Sequence, residues 1–292
     1  MKWNLSNQVM RKLTLTIIIV FILTSLNIFP ASSPPSPPEP IRPLPPTLCS
    51  VKYNAPSELA LDIVFIPVNF SLDELDQFRQ KVDSYSNLLL SLEPFSEYKD
   101  RINIWRVDTT VDIPFYRWPG IPRCLVVDYG KAEEIVRSVI DLELTGEPPN
   151  DQIIALVNTR TYGGSGGNTD RTCAQVSVAY TGTMGVWVLM HEFGHAFGDL
   201  GEEFVIFDAD YPAGKDIPWP NVDWDGSKWA DVPGTGAYLG AEYRNLVRPT
   251  DKDCIMNKLE AQRFCPVCQR AFANVLNHFP PPYARLHAYN LF

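Results

Sequence analysis

The apolar positions of this 292-residue chain recur with two different periods. Leu61 to Phe70 (Leu-Asp-Ile-Val-Phe-Ile-Pro-Val-Asn-Phe) is dense in β-branched and aromatic residues and predicts a strand. Ser71-Leu72-Asp73-Glu74 then has the form of a capping box. The helix it opens carries Phe78, Val82, Tyr85, Leu88 and Leu89 at amphipathic spacing and is expected to end near Leu92. Arg101 to Val107 alternates and predicts a second strand. Lys131 to Leu142 predicts a helix with Ile135, Val136 and Val139 inward, and Gln152 to Asn158 a buried strand. Tyr162-Gly163-Gly164-Ser165-Gly166-Gly167 is expected to be a glycine loop. It lacks the Gly-Lys-Ser/Thr ending of a phosphate cradle, so its role is close backbone approach. Ala174 to Tyr180 alternates like a strand, Pro212 to Val232 is irregular, and Phe264 to His278 forms a last helix.

The N-terminal pattern differs. Lys2, Arg11 and Lys12 precede the apolar run Leu13 to Phe29, and Ala31-Ser32-Ser33 follow. Basic, apolar and small residues in that order make a secretory signal, and the run is at the short limit for a membrane span. Residues 1–30 are therefore expected to be a signal peptide, or an N-terminal membrane anchor through residues 13–29. Pro30 to Pro46 holds nine prolines in 17 residues, an extended spacer. The expected organisation is thus a linker over 31–48 and one folded domain over 49–292. The remainder is then secreted or extracytoplasmic. With 25 Lys and Arg against 34 Asp and Glu, the net charge of −9 argues against nucleic acid and anionic lipid surfaces as partners.

The apolar stretch Thr183 to Met190 leads without a break into His191-Glu192-Phe193-Gly194-His195. Residues i and i+4 share one helix face, so His191 and His195 can reach one metal, with Glu192 beside them to take a proton from water. Gly198 and Gly201 allow the chain to stop the helix and turn back. A catalytic zinc needs a third protein ligand. Gly201 stands where the metzincin pattern places it, ten residues after His191, and glycine has no side chain to offer. The third ligand is therefore Glu202 or Glu203, with Glu203 favoured.

Six cysteines, an even number in an exported chain, suggest disulfides. Cys265-Pro266-Val267-Cys268 has no second pair at ribbon spacing and is read as structural. Cys254 is expected to bond one of these two.

With those residues in view, the chain resembles the IgA-peptidase-type family of metzincin-like zinc metallopeptidases. The resemblance runs through Asp62 to Val68, Glu93-Pro94-Phe95, Tyr98 to Arg101 and Asn103 to Val107. It continues through Asn158 with Tyr162-Gly163-Gly164, His191 to Phe204, Tyr243-Arg244, Cys254-Ile255-Met256 and Phe264 to Cys268. It implies an α/β metzincin-like peptidase domain: a twisted mixed sheet, a central zinc-binding helix and Met256 as the Met-turn residue. The chain departs from the family where an Asp-Glu-Tyr ending is common, having Glu202-Glu203-Phe204.

The expected function is an exported metalloendopeptidase holding one Zn2+ per chain and acting on protein or peptide substrates, with Glu192 as general base. Tyr238 and Tyr243 are candidate oxyanion stabilisers, and Ala174 to Tyr180 a candidate edge strand for pairing with extended substrate. Two other readings use the same residues: a zinc amidase acting on cell-wall or glycan-linked amides, and a non-catalytic, metal-stabilised surface-binding protein. Intact Glu192 argues against the latter, because a purely structural site has no use for a base.

Overall fold

The computed structural model describes residues 47–140, 151–167 and 175–278, all within one compact unit, Pro43–Phe292. The expected signal or anchor, most of the proline linker, Leu142 and Cys173 lie outside the described residues. Among those described, no helix is long and apolar enough to cross a membrane.

The chain runs β1 (Leu48–Lys52), β2 (Leu61–Val68), α1 (Leu75–Leu89), α2 (Phe95–Tyr98), β3 (Ile102–Val107), β4 (Phe115–Arg117), β5 (Leu125–Val127) and α3 (Tyr129–Ile140). It continues with β6 (Gln152–Val157), β7 (Gly164–Gly167), β8 (Gln175–Tyr180), α4 (Gly185–Gly198), β9 (Val205–Phe207), β10 (Tyr238–Arg248) and α5 (Pro266–His278). Six strands form a mixed sheet in the order β1-β3-β2-β6-β8-β7. Its centre, β3, β2, β6 and β8, is parallel, and β1 and β7 close the two sides antiparallel. Every residue of β2 and of β6 is buried, as expected for parallel strands covered on both faces. This is the mixed α/β architecture the sequence predicts.

Two family-like motif segments serve this sheet rather than chemistry. The carboxylate of Asp62 on β2 is buried and accepts from Asn103 Nδ2 at 3.0 Å and Trp105 Nε1 at 2.6 Å, both on the neighbouring β3. A buried carboxylate is tolerated only when hydrogen-bonded in this way. The capping box is present too: the Ser71 amide donates to Glu74 Oε2 at 3.0 Å at the start of the turn that becomes α1.

Three expectations are corrected. The glycine segment is not a loop: Gly164–Gly167 forms a strand paired with β8 in the register Gly164↔Ala179 to Gly167↔Val176. Its glycines let it lie directly on α4, since a Cβ on Gly166 would fall 1.9 Å from the Glu192 carbonyl oxygen. Consequently Gln175–Tyr180 is an interior strand, not an edge, and the strand bordering the cleft is Gly164–Gly167. Finally, Gly198 remains helical, and the left-handed residue that stops α4 is Asp199 at φ 49°. Gly198 is needed for packing, because a Cβ there would meet the Phe272 ring at 2.7 Å.

The back of α4 is anchored by aromatics. Phe193 and Phe197 stack at 5.1 Å, and Phe95 from α2 and Phe272 from α5 close over them, 4.9 Å apart. All four rings are buried. The opposite face of the same helix is thereby held toward the cleft.

Candidate metal centre

His191 and His195 project from that opposite face, one turn apart. Each ring is fixed by a backbone carbonyl: His191 Nδ1 lies 3.0 Å from Ile255 O and His195 Nδ1 lies 2.6 Å from Leu200 O. A carbonyl only accepts, so both Nδ1 atoms carry hydrogen, and Nε2 is the atom that each ring turns into the site. The two Nε2 atoms are 3.1 Å apart.

The carboxylate that joins them belongs to Glu202. Its oxygens lie 3.2 Å from His191 Nε2 and 3.3 Å from His195 Nε2. A tetrahedral centre with bonds of about 2.0–2.1 Å places neighbouring donors about 3.3 Å apart. The three groups therefore fit a divalent metal in spacing, donor type and orientation, with one coordination position left over.

Glu203, the residue favoured from sequence, does not enter this cluster. With Glu202 facing the histidines, Glu203 faces away and is fully buried beside Cys254, Cys265 and Cys268. Gly201 makes the turn possible, since a Cβ there would lie 2.7 Å from the Trp219 ring. Asn221 holds it by both amide groups, accepting from Gly201 N at 2.8 Å and donating to Gly201 O at 2.9 Å.

The charges of the site are coupled. Burial opposes a charge on His191, but Glu202 outweighs it and raises the imidazole to about 10; His195 is raised for the same reasons. Glu202 is held down at about 2 by the two histidines despite its burial. Burial raises Glu192, partly offset by the two imidazoles and by a hydrogen bond from the Gly166 amide. Glu192 thus sits beside the donors, half-buried, on the same helix and against β7.

The site opens into a cleft of about 790 Å³ whose lining includes Glu192, Tyr162, Arg123, Phe204, Ile206 and Glu242. Tyr238 and Tyr243 are not among its lining residues. Tyr238 is exposed, and Tyr243 stacks on Phe207 at 4.8 Å and meets Tyr211 at 4.9 Å. Tyr162 and Arg123 are among the polar groups in the cleft that sequence reasoning did not single out as oxyanion candidates.

Glu242 was also missed. It is buried at φ 55°, and its Oε1 accepts the Glu202 amide at 2.7 Å while its own amide returns to Glu202 O at 3.1 Å. No local pattern marks it, because its partner lies 40 positions away. Met256 is buried beneath α4, and a Cβ on Gly194 would lie 2.6 Å from its sulfur. Its carbonyl accepts the Glu203 amide at 2.9 Å, tying the segment under the helix to the ligand turn.

The expected disulfide is not formed. Cys254 and Cys268 sulfurs are 3.7 Å apart and Cys265 and Cys268 sulfurs 3.5 Å, beyond the roughly 2.05 Å of an S–S bond. Cys124 is a free thiol as well.

The family profile described as IgA Peptidase M64 matches residues 50–234, a span that contains the histidine helix and both glutamates. No curated protein matches the chain.

Proposed function

The chain belongs to the IgA peptidase M64 family, and on that premise we propose that it is an exported zinc endopeptidase whose metal is held by His191, His195 and Glu202. The observation that carries the reading is the convergence of two Nε2 atoms and one carboxylate within 3.3 Å of one another, at the floor of an open cleft. Three protein ligands and one open position are the arrangement of a catalytic rather than a structural zinc. His191, His195 and Glu202 would hold the zinc, which would supply Lewis acidity toward the scissile carbonyl and a water molecule.

The protein's own groups do the rest. Glu192 accepts the proton released as the water oxygen bonds to the carbonyl carbon, and returns it to the amine nitrogen as the C–N bond breaks. Its burial, which raises its proton affinity, suits it to both transfers. Tyr162 and Arg123 are the cleft groups we assign to the developing oxyanion. Phe204 and Ile206 give the cleft an apolar rim for substrate side chains. Met256, packed under the helix, is assigned the Met-turn role. Export rests on the apolar run at residues 13–29, and the substrate is protein or peptide, as the family implies.

Glu192→Gln is the test. It is expected to lower kcat/KM on a peptide substrate by about 10²–10⁴-fold, with bound metal unchanged. Undiminished cleavage with metal in place would sink the general-base assignment.

A further inference from the structure

Glu203, Cys254, Cys265 and Cys268 form a second cluster, behind the turn that carries Glu202. All four residues are buried, and their ligand atoms lie within 4.8 Å of one another. The spacing is that of a coordination shell. A tetrahedral zinc with bonds of about 2.3 Å to sulfur and 2.0–2.2 Å to oxygen sets sulfur–sulfur edges near 3.8 Å and sulfur–oxygen edges near 3.5 Å. The sulfur edges here are 3.7 and 3.5 Å, and Glu203 Oε1 lies 3.2 Å from Cys268 Sγ and 3.5 Å from Cys265 Sγ.

The surroundings suit anionic sulfur. The Cys265 amide donates to Cys254 Sγ at 3.3 Å. Asn221 Nδ2 donates to Glu203 Oε1 at 3.2 Å, while Glu203 Oε2 has no hydrogen-bond partner among the described residues. A fully buried carboxylate with one unpartnered oxygen, facing three sulfurs, is costly to ionise unless a cation between these groups offsets its desolvation. Soft thiolates in a closed four-ligand set select zinc among common divalent ions.

We propose that Cys254, Cys265, Cys268 and Glu203 bind a second, structural zinc, which raises the metal content to two per chain. The Cys-Pro-Val-Cys pair has its ribbon partners after all, supplied by one cysteine and one glutamate from separate segments. The site also touches the candidate catalytic centre twice. Glu203 adjoins Glu202, and Cys254 adjoins Ile255, whose carbonyl fixes the His191 ring. The second metal thereby clamps the two segments that position the ligands of the first.

The test is metal analysis of the full chain, purified without chelator and under conditions that keep thiols reduced. Wild type is expected to hold two zinc equivalents, and His191→Ala/His195→Ala one. Reconstituted with Co(II), both are expected to show a near-ultraviolet thiolate-to-cobalt charge-transfer band, which Cys268→Ser weakens or abolishes. Because the histidine centre contains no sulfur, this band reports the cysteine site alone, whatever the fate of the peptidase reading. A His191→Ala/His195→Ala protein with no bound zinc and no such band overturns the proposal. So does mass spectrometry of alkylated wild type that finds Cys254 in a disulfide. Should Cys268→Ser fail to fold, the wild-type count and band still decide.

Discussion

At the scale of single residues, the centre is set by which way two neighbouring glutamates face. The histidine pair and Glu192 are legible in sequence because helix geometry alone puts their side chains together. Glu202 against Glu203 is not legible, because the choice depends on the register of a non-helical turn. That register is held by Asn221, Glu242 and the Met256 carbonyl, all distant in sequence. Glu242 offers the sharpest test of this hold, since its carboxylate receives the Glu202 amide without touching the histidines' donor atoms. Glu242→Ala is expected to weaken catalytic metal affinity or kcat/KM by about 10–100-fold, the usual cost of losing a group that orients a ligand. Glu242→Gln keeps an acceptor oxygen and is expected to recover most of that loss. Metal-buffer titration of both variants checks this, and equal behaviour of Ala and Gln would remove Glu242 from the ligand-holding role.

At the scale of elements, periodicity identified the strands and helices that have continuous apolar patterns, within a few residues at each end. It missed Gly164–Gly167 because glycine carries no apolar signal. That strand exists through pairing with β8 and contact with α4, which are tertiary facts. Short β9 and the long β10 were missed because Val205–Phe207 is only three residues long and pairs with a segment far along the chain. The glycine strand predicts a clear outcome. Gly166→Ala drives a methyl into the Glu192 backbone, so the strand or helix must move. A loss of about 1–3 kcal/mol in stability is expected from overpacking, together with a fall in activity. Gly130→Ala is the control: its Cβ meets nothing closer than 3.5 Å in the first turn of α3, and it is expected to stabilise by up to about 1 kcal/mol. Denaturant melts of both proteins distinguish the two effects.

The junction of α1 with α4 yields a pH prediction. Burial, with a smaller contribution from Tyr180, raises the Tyr85 phenol to about 12, and its hydroxyl sits against Gly185 at the start of α4. The unfolded phenol titrates near 10, so the folded state holds the proton more tightly. The resulting stability is fully present below pH 10 and is lost as pH rises through about 12, amounting to roughly 3 kcal/mol. Tyr85→Phe is expected to flatten that part of the stability–pH curve relative to wild type. Identical slopes for the two proteins between pH 10 and 12 would show that the phenol is not the titrating group.

At the scale of the whole molecule, the two donor clusters differ in access, and that difference orders how they release metal. The histidine centre offers three donor groups and lines a cleft. The cysteine cluster is closed, four-ligand and buried. A chelator is therefore expected to remove metal in two stages: activity falls first with little change in thermal stability, and stability falls later. A metal held at about 1,000 times its dissociation constant contributes about 4 kcal/mol. In a domain of this size each kcal/mol corresponds to about 2–4 °C, so the second stage is expected to lower Tm by roughly 8–16 °C. Zinc returned after the first stage restores activity directly, because the ligand turn is still clamped. Zinc returned after the second must first rebuild the segments around Cys254 and Glu203, so recovery is slower and follows the return of the thermal transition. Parallel records of activity, bound zinc and Tm during chelation separate these events, and a single simultaneous loss of all three would show that the protein does not hold its metals in two separable environments.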